Sequence, residues 1–429
     1  MNLYIHTLGC KVNQYESQAI SEIFVNNGFR LSAPSDADVR IVNSCSVTAE
    51  SDRKTRQTVR RLKLKNQNCT LILCGCMSSA FPEKSYDIQE ADIVIGNNNY
   101  NKIYNTYLDY VSGGKKRVLA VEEHKKGEKY CTPSVSKFNE RTRAYIKIED
   151  GCDRFCSYCI IPYARGRVRS RCIEEIYSEA LALSKSNYKE IVLVGINLTA
   201  YGKDTGESLA DVVERVAEIN GIERIRFGSM EIDQISDETL KRLAKCEKFC
   251  PQFHLSLQSG CDKTLKSMNR HYDTDFYLNF VEKIKEKFDN PSITTDIMVG
   301  FAGETESDFL ESVEFARKIS FAKMHVFSYS KRVGTKAYSF PNQVENREKE
   351  RRSKIMIEAA NELEKKFLAT QVGLTQKVLF ETEENGMWYG YTKNYTRVKA
   401  QSDIDIQNAI LDVKLTAPDG DLLIGEIIK

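Results

Sequence analysis

The sequence predicts an α/β protein in three parts: a doubly wound parallel α/β domain, a partial (β/α)6 barrel, and a small all-β barrel. Three observations carry this. Strand-like and helix-like runs alternate twice along the chain, the pattern of βαβ units and parallel sheets. The alternation halts near Gly113-Gly114, where a stretch rich in Lys and Glu intervenes. From about Gly373, five short strand-like runs are punctuated by turn signals such as Glu384-Asn385-Gly386 and Pro418-Asp419-Gly420, the cadence of a barrel of the oligonucleotide-binding kind. At 429 residues, and with roughly 150 residues per domain, about three domains are expected.

The first alternation places strands at Leu3–Thr7, Arg40–Asn43, Thr70–Leu73 and Ile93–Ile95, and helices at Asn13–Asn27 and Asp52–Lys65. Lys115–Arg143 reads as a connector with one short strand. The second alternation has strands at Ala144–Glu149, Glu190–Val194, Arg224–Gly228, Phe253–Leu257, Ile293–Val299 and Met324–Tyr329. Helices at Ile173–Ser186, Ser208–Asn220, Ser236–Lys245, Thr274–Lys287 and Thr305–Lys318 lie between them. In such barrels the chemistry sits at the carboxyl ends of the strands. Glu345–Leu368 is a charged helix whose Met356, Ala360, Leu363 and Phe367 form one apolar stripe. The expected division is 1–112, a linker 113–143, then 144–368 and 369–429.

Hydrophobic residues make up 41% and charged residues 28%, enough apolar material for real cores, so the chain is not disordered. Lys plus Arg number 62 against 60 Asp plus Glu, which excludes a globally basic nucleic-acid coat and confines any such site to a patch. No run of 18 apolar residues marks a membrane helix. The start lacks the basic and apolar regions of a signal peptide, so a cytoplasmic location is expected. Thirteen cysteines, an odd number, are too sparse for a disulfide scaffold. Clustered thiols in a reduced compartment read as metal ligands or catalytic groups.

Cys152, Cys156 and Cys159 stand in a C-x3-C-x2-C array directly after the first barrel strand. Three thiolates on one short loop can hold three irons of a [4Fe–4S] cluster and leave the fourth open, whereas zinc would want a fourth ligand. Cys10, Cys45 and Cys76 each follow one of the first three strands. In a parallel sheet those strand ends share one edge, so the three could converge on a second cluster. The competing reading is buried structural thiols. Cys74 is expected within the strand and Cys76 on the loop. Glycine before Cys10 and before Cys76 would let the backbone turn tightly.

The central array resembles the signature of radical S-adenosylmethionine (SAM) enzymes, whose open iron binds SAM. The resemblance implies SAM contacts at the strand ends: Tyr158, Asn197, Ser229, Glu231, Gln258 and Asp296. Phe301-Ala302-Gly303-Glu304-Thr305 resembles the family's glycine-containing turn. HTLGCKVNQYES, NSCSVTAESDRKTRQ, CGCMSS, GCDRFCSYCIIPYARGRVRSR, FHLSLQSGCDKTLKSMNR and DIMVGFAGETESDF resemble the methylthiotransferases over nearly the whole chain. The wording is nearest the branch that acts on threonylcarbamoyladenosine beside the tRNA anticodon, although CGCMSSAF departs from the usual third motif. The resemblance implies an N-terminal domain with an auxiliary [4Fe–4S] cluster on Cys10, Cys45 and Cys76, a radical SAM core, and a C-terminal TRAM barrel. It also implies methylthiolation of carbon 2 of the base at position 37, with one SAM as methyl donor and another as radical source. No catalytic side chain beyond the clusters is expected. A flavodoxin- or ferredoxin-like electron donor and a monomeric state are expected. The rival substrates are an aspartate of a ribosomal protein and isopentenyladenosine of tRNA.

For RNA, the run from Arg53 to Lys65 holds seven basic residues in thirteen and no acid, which favours phosphate contact by Arg53, Lys54, Arg56, Arg60 and Arg61. Arg165, Arg167, Arg169 and Arg171 alternate and, if extended, point to one side as a second phosphate-binding candidate, the alternatives for either patch being the SAM carboxylate or the other domain. From Gly373 onward there are six Lys and Arg against nine Asp and Glu, a net of −3. Recognition there would rest on Arg397 and Lys399, with Trp388, Tyr389, Tyr391 or Tyr395 as stacking faces.

Overall fold

The computed structural model describes residues 1–98, 100–138 and 142–428, so residues 139–141 of the expected connector lie outside the described residues. The N-terminal elements are β1 (Asn2–Thr7), α1 (Lys11–Asn26), β2 (Arg30–Leu31), β3 (Val39–Ser44), α2 (Ala49–Lys65), β4 (Thr70–Gly75), α3 (Cys76–Ala80), α4 (Pro82–Tyr86), β5 (Ile93–Ile95), α5 (Ile103–Ser112) and β6 (Val118–Ala120). They build one parallel sheet in the order β2-β1-β3-β4-β5-β6. Strands β3 and β4 are buried along their whole length, as expected of central strands covered on both faces. The direction of winding reverses between β1 and β3, and such a switch point opens a crevice at the strand ends. The connector supplies β6, and its Val135 and Phe138 are buried in the barrel core.

The barrel begins with β7 (Arg143–Lys147), β8 (Glu149–Asp150), α6 (Ile161–Arg165), β9 (Arg169–Ser170), α7 (Ile173–Lys185), β10 (Glu190–Val194), α8 (Leu209–Ala217), β11 (Arg224–Phe227) and β12 (Ser229–Met230). It continues through α9 (Asp237–Lys245), β13 (Gln252–Leu255), α10 (Asp262–Ser267), α11 (Thr274–Lys287), β14 (Ser292–Val299), α12 (Glu306–Ile319), β15 (Lys323–Ser328) and α13 (Asn346–Gln371). Parallel strands run β11-β10-β7 and β12-β13-β14-β15. The third strand is thus split at Gly228, and the wall stays open between β7 and β15 among the described residues. Capping boxes start two of the outer helices, Ser208 with Asp211 on α8 and Thr305 with Asp308 on α12, each satisfying first-turn amides. Thr305 of the glycine-containing turn therefore serves as a helix cap. The barrel core also takes in Tyr15 and Ala19 of α1, so the first domain packs into the second through its first helix.

The last five strands, β16 (Thr375–Glu384), β17 (Met387–Thr392), β18 (Arg397–Gln401), β19 (Ile410–Asp419) and β20 (Leu422–Ile427), close a barrel in the order β16-β17-β18-β20-β19. Trp388 belongs to its core, which corrects its candidacy as a stacking face. Tyr391 and Tyr395 stack on each other at 4.5 Å. The Arg143 guanidinium lies 4.7 Å from the Tyr391 ring and that of Arg226 lies 4.6 Å from the Tyr395 ring. Arg143 also pairs with Glu381 at 2.7 Å. These two tyrosines bind the small barrel to the floor of the large one.

Phe253 is fully buried, with the rings of Phe288 and Phe249 at 4.9 and 5.9 Å. Phe253→Ala should cost about 3–5 kcal/mol, read as a lowered urea midpoint with an unchanged slope.

Candidate active site: two thiol triplets and a cavity beside Cys10

The N-terminal triplet is built at the switch point. Cys10 caps α1 just after β1, Cys45 follows β3, and Cys76 opens α3 at the end of β4. Hydrogen bonds tie the three loops together. Asn13 Nδ2 donates to the Ser44 carbonyl at 3.0 Å, and Asn43 Nδ2 donates to the Asn13 carbonyl at 3.0 Å. The Met77 amide donates to Ser44 Oγ at 3.1 Å. Gly75 has φ +98°, and a Cβ there would lie 2.5 Å from the Ser44 backbone, so only glycine lets the chain turn into Cys76. The Cys45 loop is anchored to the barrel side by Arg332, which donates to Asp52 at 2.8 Å and to Ser46 Oγ at 2.9 Å. Cys74 points elsewhere. It lies in the sheet core and donates to the Val42 carbonyl.

The barrel triplet occupies the loop after β8. Its backbone is pinned where the Cys152 amide donates to Gly166 O at 3.0 Å and the Ser157 amide to Met268 O at 2.9 Å. Arg270 is buried and donates to Cys156 Sγ at 3.5 Å, to the Ser256 carbonyl at 3.0 Å, and to Glu231. Tyr158 stands near Phe301, ring centroids 6.3 Å apart.

A buried ion network joins the two triplets. Arg165 donates to Cys76 Sγ at 3.3 Å, to Glu16 at 2.9 Å and to Asp150 at 3.3 Å. Lys147 pairs with both Glu16 and Asp150 at 2.7 Å. Asp150 in turn accepts from the Gly151 amide at 2.9 Å, one residue before Cys152. Burial alone would raise the carboxyls of Glu16 and Asp150, but Arg165 and Lys147 overrule it and hold both below the usual range. This overturns the expectation that Arg165, Arg169 and Arg171 form a phosphate patch. All three are buried, because they answer interior carboxylates: Glu16 and Asp150 for Arg165, Asp150 for Arg169, and Glu179 for Arg171. Arg167 alone of the four is exposed, and it pairs with Asp153 at 3.2 Å.

A cavity of about 850 Å³ opens beside Cys10, between α1, the barrel strands and the small barrel. Lys11, His254, Thr294, Asp296, Lys323 and His325 give part of its wall polar groups of both charge signs, while Phe227, Phe327, Phe367 and Leu368 make another part apolar. His254 hydrogen-bonds Thr294 Oγ1 at 2.9 Å through Nδ1 and faces Asp296 at 3.4 Å through Nε2. Lys11 is exposed in this cavity, where enclosure by the walls, then Arg226 and Arg143, lower its ammonium to about 8. Ser229 and Arg397 also line this space. Asp296 lies in the middle of β14 rather than at its carboxyl end, since strand alternation turns it toward the cavity.

His254, Asp296 and His325 are the one group among the described residues whose donor atoms all lie within 4.8 Å. Neither thiol triplet closes to that spacing. Each triplet supplies three thiols and, among the described residues, no fourth protein ligand of the kind a structural zinc takes, the donor set that leaves one iron of a [4Fe–4S] cluster open. For SAM, two buried atoms without a hydrogen-bond partner are telling: Glu149 Oε1 and Asn197 Nδ2. Glu149 Oε2 accepts from the Asn197 amide at 2.8 Å, and burial raises the Glu149 carboxyl far above its usual range. The open Glu149 oxygen and the open Asn197 amide nitrogen suit the ammonium and carboxylate of an amino-acid moiety, whose positive charge would favour the ionised form of the Glu149 carboxyl. Sequence reasoning missed Glu149, Arg270, Glu16 and Lys147. Only the placement of Glu149 at the first strand's end could have signalled one of them.

Burial pushes the thiols of Cys76 and Cys152 up to about 12. Metal binding needs the thiolate, so loading must displace protons. Iron uptake by metal-free protein should weaken as pH falls through the neutral range and should release acid. Uptake that is flat with pH, by iron analysis, would contradict this.

Residues 146–316 match the family described as Radical SAM superfamily, and residues 2–96 match Uncharacterized protein family UPF0004. The threonylcarbamoyladenosine tRNA methylthiotransferase MtaB of Bacillus subtilis is 36% identical, over 96% of this chain and 92% of that one. The tRNA-2-methylthio-N(6)-dimethylallyladenosine synthase of Clostridium botulinum is 35% identical, over 99% and 96%. Among solved structures, the radical S-adenosylmethionine methyltransferase TsrM of Kitasatospora setae superposes with a TM-score of 0.59, covering 79% of this chain and 74% of that one. At 11% identity that likeness speaks for the fold alone. No helix among the described residues is long and apolar enough to cross a membrane. With relatives at this identity over nearly its full length, the chain belongs to the methylthiotransferase family of radical SAM enzymes.

Proposed function

We propose that the chain methylthiolates carbon 2 of N6-threonylcarbamoyladenosine at position 37 of tRNA. In this reading Cys152, Cys156 and Cys159 hold the SAM-binding cluster, while Cys10, Cys45 and Cys76 hold the second, sulfur-carrying one. Glu149, Asn197, Tyr158, Glu231 and Gln258 are the proposed SAM contacts. When bound, these groups supply a methyl group, a sulfur and a carbon-centred radical, chemistry that no side chain offers at an unactivated aromatic C–H bond. The chain's own residues do the rest. Arg270 and Arg165 orient the thiol loops, α1 and the barrel strands enclose the cavity, and its polar wall receives the base and its substituent.

Identity does not choose between the two tRNA substrates, because relatives named for each match at 35–36%. The observation that supports the threonylcarbamoyl group is the cavity wall. Lys11, His254, Thr294, Asp296, Lys323 and His325 suit a substituent with a urea, a hydroxyl and a carboxylate. An isopentenyl group would offer Lys11 no hydrogen-bond acceptor, at a cost of about 1–3 kcal/mol. Around the cavity mouth, Arg397 sits 5.1 Å from the Tyr389 ring. Arg53, Lys54, Arg60 and Arg61 lie exposed on α2 and Arg56 is half-buried. All these, with exposed Arg167, are proposed to meet tRNA phosphates. The electron donor is proposed to be flavodoxin- or ferredoxin-like, acting on a monomer.

Two tests divide the labour. Cys156→Ala should abolish SAM cleavage, whereas Cys45→Ala should still release 5′-deoxyadenosine and give no methylthio product. Product from both variants would refute the cluster assignments. Lys11→Met should lower turnover of threonylcarbamoyladenosine tRNA at least tenfold, about 1.4 kcal/mol, mainly through KM. An unchanged KM would remove Lys11 from substrate binding.

A further inference from the structure

Arg165 is the last residue of α6, six positions after Cys159, and its side chain is fully buried. From this place on the barrel loop it crosses to the other domain, where Nε donates to Cys76 Sγ at 3.3 Å. Its Nη2 meets Asn13 Oδ1 at 3.4 Å, the same oxygen that Cys10 Sγ approaches at 3.4 Å. Among the described residues it is the one cation hydrogen-bonded to a sulfur of the N-terminal triplet. Its other bonds, to Glu16 and Asp150, fix the fork so that Nε cannot turn away from Cys76. Arg270 stands in the same relation to Cys156 of the barrel triplet, so each triplet has one thiol facing a buried guanidinium.

Hydrogen bonds to ligating sulfurs and nearby charge set the reduction potential of an iron–sulfur cluster. A cation donating to a sulfur draws electron density and favours the reduced form. We propose that Arg165 is a positioning residue that raises the reduction potential of the cluster on Cys10, Cys45 and Cys76, from a foothold on the loop carrying the other cluster. The inference rests on the reading that this triplet binds a cluster. Reduction adds one electron, from the chemical titrant, and makes or breaks no bond.

The test uses the full chain carrying Cys152→Ala, Cys156→Ala and Cys159→Ala, so that only the N-terminal triplet can load iron. If this parent takes up no iron and sulfide, the two-cluster reading itself fails. If it loads, Arg165→Met and Arg165→Lys are added and dithionite titrations followed by electron paramagnetic resonance. The midpoint should move to a more negative potential in Arg165→Met and by less in Arg165→Lys, which keeps the charge and loses the Nε donor. In the reciprocal background, with Cys10→Ala, Cys45→Ala and Cys76→Ala, the barrel cluster should shift less than the auxiliary one. An unmoved auxiliary midpoint, an equal shift in both backgrounds, or failure of Arg165→Lys to load where the parent loads would overturn tuning by Arg165.

Discussion

The structure depends on one buried cluster of charge, in which Arg165 and Lys147 meet Glu16 and Asp150. Glu16 comes from the first domain's first helix, and the other three come from the barrel. Burying such charges costs several kcal/mol per ion before pairing restores it, so the network is weak evidence for stability as such. Its value lies in specificity. Removing one member leaves an uncompensated charge at about 3–5 kcal/mol, so the two domains are held to one arrangement. That arrangement sets Cys76 against Arg165 and Asp150 against the Gly151 amide, placing both thiol triplets around a single rigid link.

The open barrel follows from the same logic. A complete eight-stranded barrel fills its interior with side chains. Here the wall stops at β15, β11 and β12 part at Gly228, and polar residues of β13, β14 and β15 face a cavity instead of a core. α1, α13 and the small barrel close its sides. Arg143, Arg224 and Arg226 reach from the barrel floor to Glu381, Tyr391 and Tyr395. The C-terminal barrel is therefore part of the cavity's wall as well as a separate fold.

Much of this was legible in the sequence, because strand and helix periodicities dominate it. Glu190–Val194 and Thr274–Lys287 stand where the alternation places them. The thiols were legible too, since each follows a strand whose end must lie on the ligand edge. What could not be read depends on long-range pairing. Arg165, Arg169 and Arg171 look like a solvent-facing stripe, and nothing local shows that Glu16 and Glu179 wait for them from distant helices. The tyrosines of the small barrel likewise look like base-stacking rings until the arginines of another domain are seen against Tyr391 and Tyr395. Glu149 reads as an ordinary strand residue, because its open carboxyl oxygen is defined only by the Asn197 loop folding over it.

The central claim is that a cavity beside Cys10, whose wall carries polar groups of both charge signs, receives the charged N6 substituent of the base that two sulfur-bound clusters modify. The most direct measurement offers the reconstituted enzyme an equal mixture of tRNA bearing threonylcarbamoyladenosine and tRNA bearing isopentenyladenosine, with SAM and a reductant, followed by nucleoside mass spectrometry. The account predicts 2-methylthio product on the threonylcarbamoyl nucleoside and little on the prenylated one. Methylthiolation of the prenylated nucleoside in preference would contradict it.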